Sequence, residues 1–195
     1  MARPSVRGKL VEAGLDSLHA QGFNGCSIQD IVDAAKVPKG SFFNHFKSKE
    51  LLALEALQRY GQTSRMDLLF DASRPPLARL RDHFEYLAQS YAKWGFERGC
   101  LIGNFSSEMA ASHPQMREAL KGMFEAWCAV VAGLVREAQA NGQVDPSRDA
   151  AALAHFLVNA WQGVVIRLKL VRDHAPVDEF FAICFDIVLA PAPGR

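Results

Sequence analysis

Within the stretch VPKGSFFNHFKSKELL the chain sets Lys39, Ser41, Asn44, His45 and Lys49 close together, around Gly40 and Phe43. An amine, a hydroxyl, an amide and an imidazole at this spacing suit hydrogen bonding and ion pairing rather than bond making. An asparagine amide presents a donor and an acceptor side by side, and a lysine ammonium presents three donors and a charge. The same stretch carries Phe42, Phe43 and Phe46. A solvated loop would not hold such rings, and a core helix would not hold such polar groups, so the segment must have two faces.

Two short helical segments would position these groups, SIQDIVDA and KGSFFNHF, joined by AKVPK. Ser27 is a good N-cap, and Asp30 in the first turn complements the helix dipole. Ile28, Ile31, Val32 and Ala35 fall on one apolar face. Pro38 can open the second segment, where Phe42 and Phe46 form an i,i+4 pair facing inward. A first helix packed across a second, whose outer face is polar, is a helix–turn–helix able to enter the major groove.

On these residues the chain resembles the TetR family of bacterial regulators. From Arg7 to Leu52 the matching segments are AGLDSLHAQGF and CSIQDIVDAAKVPKGSFFNHFKSKELL, about a quarter of the chain. The resemblance implies that Lys39, Gly40, Ser41, Phe43 and Asn44 face the groove of double-stranded DNA, while Ser27, His45 and Lys49 hold the phosphate backbone. The basic arm RPSVR would lie along the DNA. Tyrosine is commoner in the family where Phe43 stands. Phe43 is then either an apolar edge for a thymine methyl or a further core ring, and His45 is either a phosphate contact or a core-edge histidine. Residues 1–50 hold seven Lys/Arg against five Asp/Glu, a modest excess that calls for a dimer engaging two half-sites.

The remaining composition bounds the rest. A chain of 195 residues with net charge +1 is ordinary for a globular protein and makes no case for nucleic acid by charge alone. Cys26, Cys100, Cys128 and Cys184 stand far apart, with no CxxC pair and no close histidine spacing. That argues against a structural metal or cofactor and for reduced thiols in a cytoplasmic protein. Glu12 and Asp16 interrupt the basic N-terminus, so no signal peptide is expected. Apolar runs such as WCAVVAGLV fall short of the roughly 20 residues that span a bilayer, so no membrane partner is expected. Apolar spacing of three and four throughout predicts an all-α fold of about nine helices without a sheet. Residues 1–50 are expected to form the DNA-binding domain and 51–195 a helical ligand-binding and dimerisation domain, with 48–72 as a connecting helix.

In the second domain the resemblance implies a ligand cavity. Candidate contacts are Trp94, Cys100, Asn104, Phe105, Phe124, Trp127, His155, Asn159 and Trp161. Cys100 opens a helix after Gly99, with Arg98 nearby, a setting that favours a thiolate. An electrophile-sensing branch of the family has a cysteine in a similar Gly-Cys-Leu context. A small packed hydrophobe is the other reading. The last two helices carry more apolar residues than one face needs. By resemblance Trp161, Val165, Leu168, Phe181, Cys184, Phe185 and Val188 would form a symmetric dimer interface. No nucleophile–base pair or phosphate-cradling loop marks an enzyme. The expectation is a homodimeric transcriptional regulator, a repressor released from a palindromic operator by a small-molecule or electrophilic effector. The alternative is a helical DNA-binding architectural or partner-binding protein without an effector.

Overall fold

The structure, a computed structural model, describes residues 5–192. Arg3 and Pro4 of the basic arm and Pro193–Arg195 of the tail lie outside the described residues. Among the described residues there are nine α-helices and no strand: α1 Val6–Gly25, α2 Ile28–Ala35, α3 Lys39–Phe43, α4 Lys49–Thr63, α5 Pro76–Lys93, α6 Leu101–Met109, α7 Pro114–Ala140, α8 Ala150–Val171 and α9 Ala175–Ile183. A 3-10 turn, Met66–Phe70, follows α4, and a π-helical turn, Cys184–Val188, extends α9.

The caps follow from the side chains. At α2 the Asp30 N–H donates to Ser27 Oγ at 3.1 Å, and the Ser27 N–H donates to Asp30 Oδ2 at 2.7 Å, so two orphan donors are satisfied reciprocally. The bond to Ser27 holds the Asp30 carboxyl below its ordinary range. Ser48 caps α4 through the Leu51 N–H at 3.3 Å, and Asp149 caps α8 through the Ala151 N–H at 2.8 Å. Pro76 takes the first-turn position of α5, where its missing donor costs nothing. Lys36 ends α2 in the left-handed region at φ 54°, and Arg172 ends α8 in the same way at φ 55°. The expected connecting helix over 48–72 is shorter than its apolar spacing suggested. Arg65 adopts φ 50°, which stops α4 at Thr63 and starts the 3-10 turn.

The chain divides into two compact units, one of Met1–Ser64 with Cys100–Gly122, the other of Arg65–Gly99 with Met123–Arg195. In the first unit α1 packs on α2, α4 and α6. Its core holds Leu10, Leu18, Phe23, Ile31, Val32, Phe42, Phe46, Leu52, Leu57 and Phe105. A Cβ on Gly14 would collide with the Leu52 side chain, so α1 and α4 approach closely at this point.

Phe84, fully buried on α5, is the centre of the second unit's core. Around it lie Trp161 at 4.9 Å between ring centroids, Phe180 at 5.0 Å and Trp127 at 6.2 Å. Arg79 is buried, its guanidinium paired with Glu137 and donating to the Leu69 carbonyl at 3.3 Å. Arg81 lies over both Phe181 and Phe185, at 4.7 and 4.6 Å from their centroids. By length and composition α8 would pass as a membrane span, contrary to the reading of short apolar runs. Its Leu157, Val158, Trp161 and Val165 are instead core residues of this unit.

Candidate functional site

The helix–turn–helix has the two faces that the sequence required. Phe42 and Phe46 are buried, with centroids 5.8 Å apart. Lys39, Gly40, Asn44 and His45 are exposed, and Ser41 is half-buried. Phe43 settles between its two readings, because its ring is 55% exposed and only its edge meets Phe42. It is therefore an outward apolar residue rather than a further core ring. The α3 backbone is fixed by Ser41 N–H to Pro38 O at 2.9 Å and Phe46 N–H to Phe42 O at 2.8 Å. Ser27 is exposed at the start of α2 with its oxygen engaged in the capping box.

Lys49, expected at the phosphates, is engaged elsewhere. Its ammonium donates to Phe23 O and to Cys26 O, each at 2.7 Å, and lies 4.2 Å from the Phe23 ring centroid. The end of α1 leaves carbonyls without helical partners, and a lysine at the start of α4 reaches them. A helix-start lysine in the sequence cannot be told from a phosphate contact, since both need the same charge. Lys49→Met keeps the stem on Phe23 and removes two charge-assisted hydrogen bonds. The variant is expected to lose about 2 kcal/mol, read as a fall of roughly 5 °C in Tm. An unchanged Tm would show that the clamp does not contribute. Arg7 is also occupied within the first unit, paired with Glu55 and lying 5.0 Å over Phe46.

A second grip on the end of α1 was not apparent in the sequence. Gly22 interrupts the helix at φ 77°, ψ 173°, and the chain resumes to Gly25. Opposite it, Glu108 on α6 accepts the Asn24 N–H at 2.8 Å. Phe23 meets Phe105 and His113 edge-on, at 6.4 and 5.1 Å. The turn that leads into the helix–turn–helix is thus held by α4 on one side and α6 on the other. Glu108 and Gly22 are 86 positions apart, and nothing local in either segment signals the contact.

The expected ligand contacts divide between the two units. Cys100, Asn104 and Phe105 belong to the first unit, and Phe105 packs on Phe23. In the second unit His155 and Asn159 are exposed on α8, Trp94 is 37% exposed, and Phe124 is half-buried. Trp127 and Trp161 do share a core. The correction has a simple cause: polar residues on an apolar helix were read as buried, whereas His155 and Asn159 point away from the protomer's interior. Cys100 is buried and caps α6 through its backbone, its carbonyl accepting Asn104 N–H at 2.9 Å. None of the four cysteines is bridged. Burial pushes the Cys184 thiol up to about 11 and raises that of Cys128.

The expected dimer residues need a similar correction. Trp161, Val165, Leu168, Phe181 and Cys184 are buried within the protomer, and Phe185 and Val188 are half-buried. The apolar excess of these helices is real but lies on other residues: Phe156, Ile166, Leu170 and Val171 of α8, and Ile183 and Ile187 beyond them. Phe156, Asn159, Gly163, Ile166 and Leu170 fall at alternating spacings of three and four, which places them on one stripe. That phase was available in the sequence, but α8 is apolar on its inner face too, so two stripes competed.

An all-helical chain whose first helices form a helix–turn–helix with an outward polar face, followed by a larger helical unit, defines a DNA-binding transcriptional regulator. The family described as "Bacterial regulatory proteins, tetR family" matches residues 10–56, and "Tetracyclin repressor-like, C-terminal domain" matches residues 76–184. The transcriptional repressor DhaR of Mycobacterium sp. (strain GP1) is 38% identical over 192 residues, 97% of this chain and 95% of that protein. The transcriptional regulator AcuR of Cereibacter sphaeroides is 38% identical over 174 residues, 88% of this chain and 80% of that protein. A crystal structure of regulatory protein TetR from Rhodobacter sphaeroides has a TM-score of 0.86 at 35% identity, covering 91% of this chain and 96% of that one. The reduced form of Escherichia coli NemR shares the fold, with a TM-score of 0.84 at 24% identity over 96% of this chain and 99% of that one. The chain belongs to the TetR family of transcriptional regulators and is not an enzyme.

Proposed function

We propose that this regulator is a repressor that binds a palindromic operator as a homodimer and leaves it when a small molecule enters the second unit. In this reading residues 1–50 read DNA, and residues 51–195, which include the whole second unit, sense the effector and dimerise. The observation that carries it is the outward face of the helix–turn–helix, where Lys39, Gly40, Phe43, Asn44 and His45 are exposed on a backbone fixed by the buried Phe42 and Phe46. Asn44 would pair with a base edge, Phe43 would meet a thymine methyl, and Lys39, Ser27 and His45 would hold phosphates or guanine. Lys49 acts indirectly by fixing the turn.

One head of modest charge binds weakly, and two heads on half-sites one helical turn apart bind tightly. The exposed stripe Phe156–Gly163–Ile166–Leu170, with Ile183 and Ile187, is the surface we assign to the second copy. Its side chains are 48 to 77% exposed in the protomer, and Gly163 has open space above it, which allows close helix approach. Relatives named as repressors support release over activation. The burial of Cys100 favours a reversible small-molecule effector over covalent attack at that thiol.

A mobility-shift assay on the DNA flanking the protein's own gene tests the reading. Asn44→Ala should weaken binding by about tenfold to a hundredfold, the value of one bidentate base contact. Binding equal to wild type would remove Asn44 from the reading head. Failure of the wild type to retard that DNA would count against self-regulation at that promoter.

A further inference from the structure

We propose that the aromatic core of the second unit receives the uncharged carbonyl group of a small organic effector, with the indole N–H groups of Trp127 and Trp161 and the His83 ring as its polar contacts. The inference rests on the reading in which an effector releases the operator, and it names that effector's chemistry.

Three helices supply the rings: His83 on α5, Trp127 on α7 and Trp161 on α8. All three stand around Phe84, with centroids 5.6, 6.2 and 4.9 Å from it, and His83 lies 5.7 Å from Trp127. His83 and Trp161 are fully buried and Trp127 is 7% exposed. Six buried side-chain polar atoms among the described residues have no close hydrogen-bond partner in the protein, and four of them are the nitrogens of these rings, the His83 ring being the one that also faces a backbone group, at Arg65. Each such atom costs about 1–3 kcal/mol, and folded proteins hold few of them. Their concentration in one cluster therefore points to a polar occupant shared between helices.

The donor set fixes what that occupant must bring. Indole nitrogens donate and never accept, whereas a neutral imidazole offers one donor and one acceptor, so the two indoles set the polarity of the cluster. The occupant thus presents an acceptor oxygen, while Phe84, Phe180 and the ring faces suit an apolar body. Charge decides between a carbonyl and a carboxylate. Burial pushes His83 down to about 4, with the Arg65 backbone and Asp67 opposing, so the ring is neutral at pH 7. Arg79, one turn earlier on α5, is already matched by Glu137. A carboxylate would enter without a counterion, whereas a ketone, aldehyde, ester or amide oxygen needs none.

The test uses the full chain labelled with 15N-tryptophan and a ladder of 2-alkanones from propanone to octanone, with pentane and pentanoate as matched probes. A 2-alkanone should move the indole N–H signals of Trp127 and Trp161 more than that of Trp94, while pentane leaves them in place. Trp161→Phe and Trp127→Phe keep a ring and remove a donor, and each should weaken binding of the same ketone by about tenfold. Movement with pentanoate alone would overturn the uncharged class. Equal movement with pentane, or movement with none of the probes, would overturn the polar anchor and leave buried water as the partner of these nitrogens. A parallel mobility shift separates the two ideas. Operator bound without any indole response sinks the carbonyl inference alone, and ketone binding without retention of that DNA sinks self-regulation at that promoter alone.

Discussion

Glutamate at Ile166 and Leu170 together is expected to leave the protomer folded, turn a dimer into monomers and weaken operator binding by about 10²- to 10⁴-fold. The size follows from losing the second reading head, whose binding becomes bimolecular once the heads are no longer joined. The protomer should tolerate both changes because Ile166 and Leu170 are 63% and 77% exposed, so each carboxylate stays hydrated. Across a two-fold interface the same residues would face their own copies, and four buried like charges would be forced together. Sedimentation velocity gives the oligomeric state, circular dichroism checks the helices, and a mobility shift gives the affinity. A double variant that remains dimeric would show that the interface lies elsewhere. Trp161→Glu, by contrast, should unfold the second unit, since that residue is fully buried among Phe84, Tyr91 and Phe180.

Gly22→Ala should be the most costly single methyl in the first unit. At φ 77°, ψ 173° the backbone lies where glycine alone is comfortable, and a side chain there costs about 1–3 kcal/mol. The new Cβ would also meet the Glu108 carboxylate, which accepts the Asn24 N–H at 2.8 Å. Displacing that carboxylate leaves a backbone donor at the end of α1 unpaired. Together these predict a loss of about 2–4 kcal/mol and a fall in Tm of roughly 10 °C. Pairing Gly22→Ala with Glu108→Ala separates the causes, because the second change removes the collision and leaves the backbone strain. The double variant should therefore cost less than the sum of the two single variants. Additive losses would show that glycine and glutamate do not act on each other. Operator affinity measured on the same variants tells whether this turn also sets the angle of the reading helix.

The helix–turn–helix was legible because its signals are local. Ser27 and Asp30 close a capping box three residues apart, and Phe42 and Phe46 are one turn apart on the same face. The exposed positions between them follow from that phase. The second unit was less legible because its helices are apolar around more than one face, so spacing alone left open which stripe of α8 turns inward. Trp161, Val165 and Leu168 took the core, and Ile166 and Leu170 were left outside. His83 could have been noticed from its place in the apolar phase of Leu80, Phe84 and Leu87, but its neighbours on α7 and α8 could not.

The sequence by itself determined the all-helical class, the family and the outward residues of α3, since each depends on contacts within one or two turns. Tertiary structure alone decided that the Lys49 ammonium reaches the carbonyls at the end of α1, that Glu108 faces Gly22, and that the rings of His83, Trp127 and Trp161 from α5, α7 and α8 share one core. Those contacts join segments 23 to 86 positions apart. A side chain's type states what bonds it can make, and only the packing of distant helices chooses its partner.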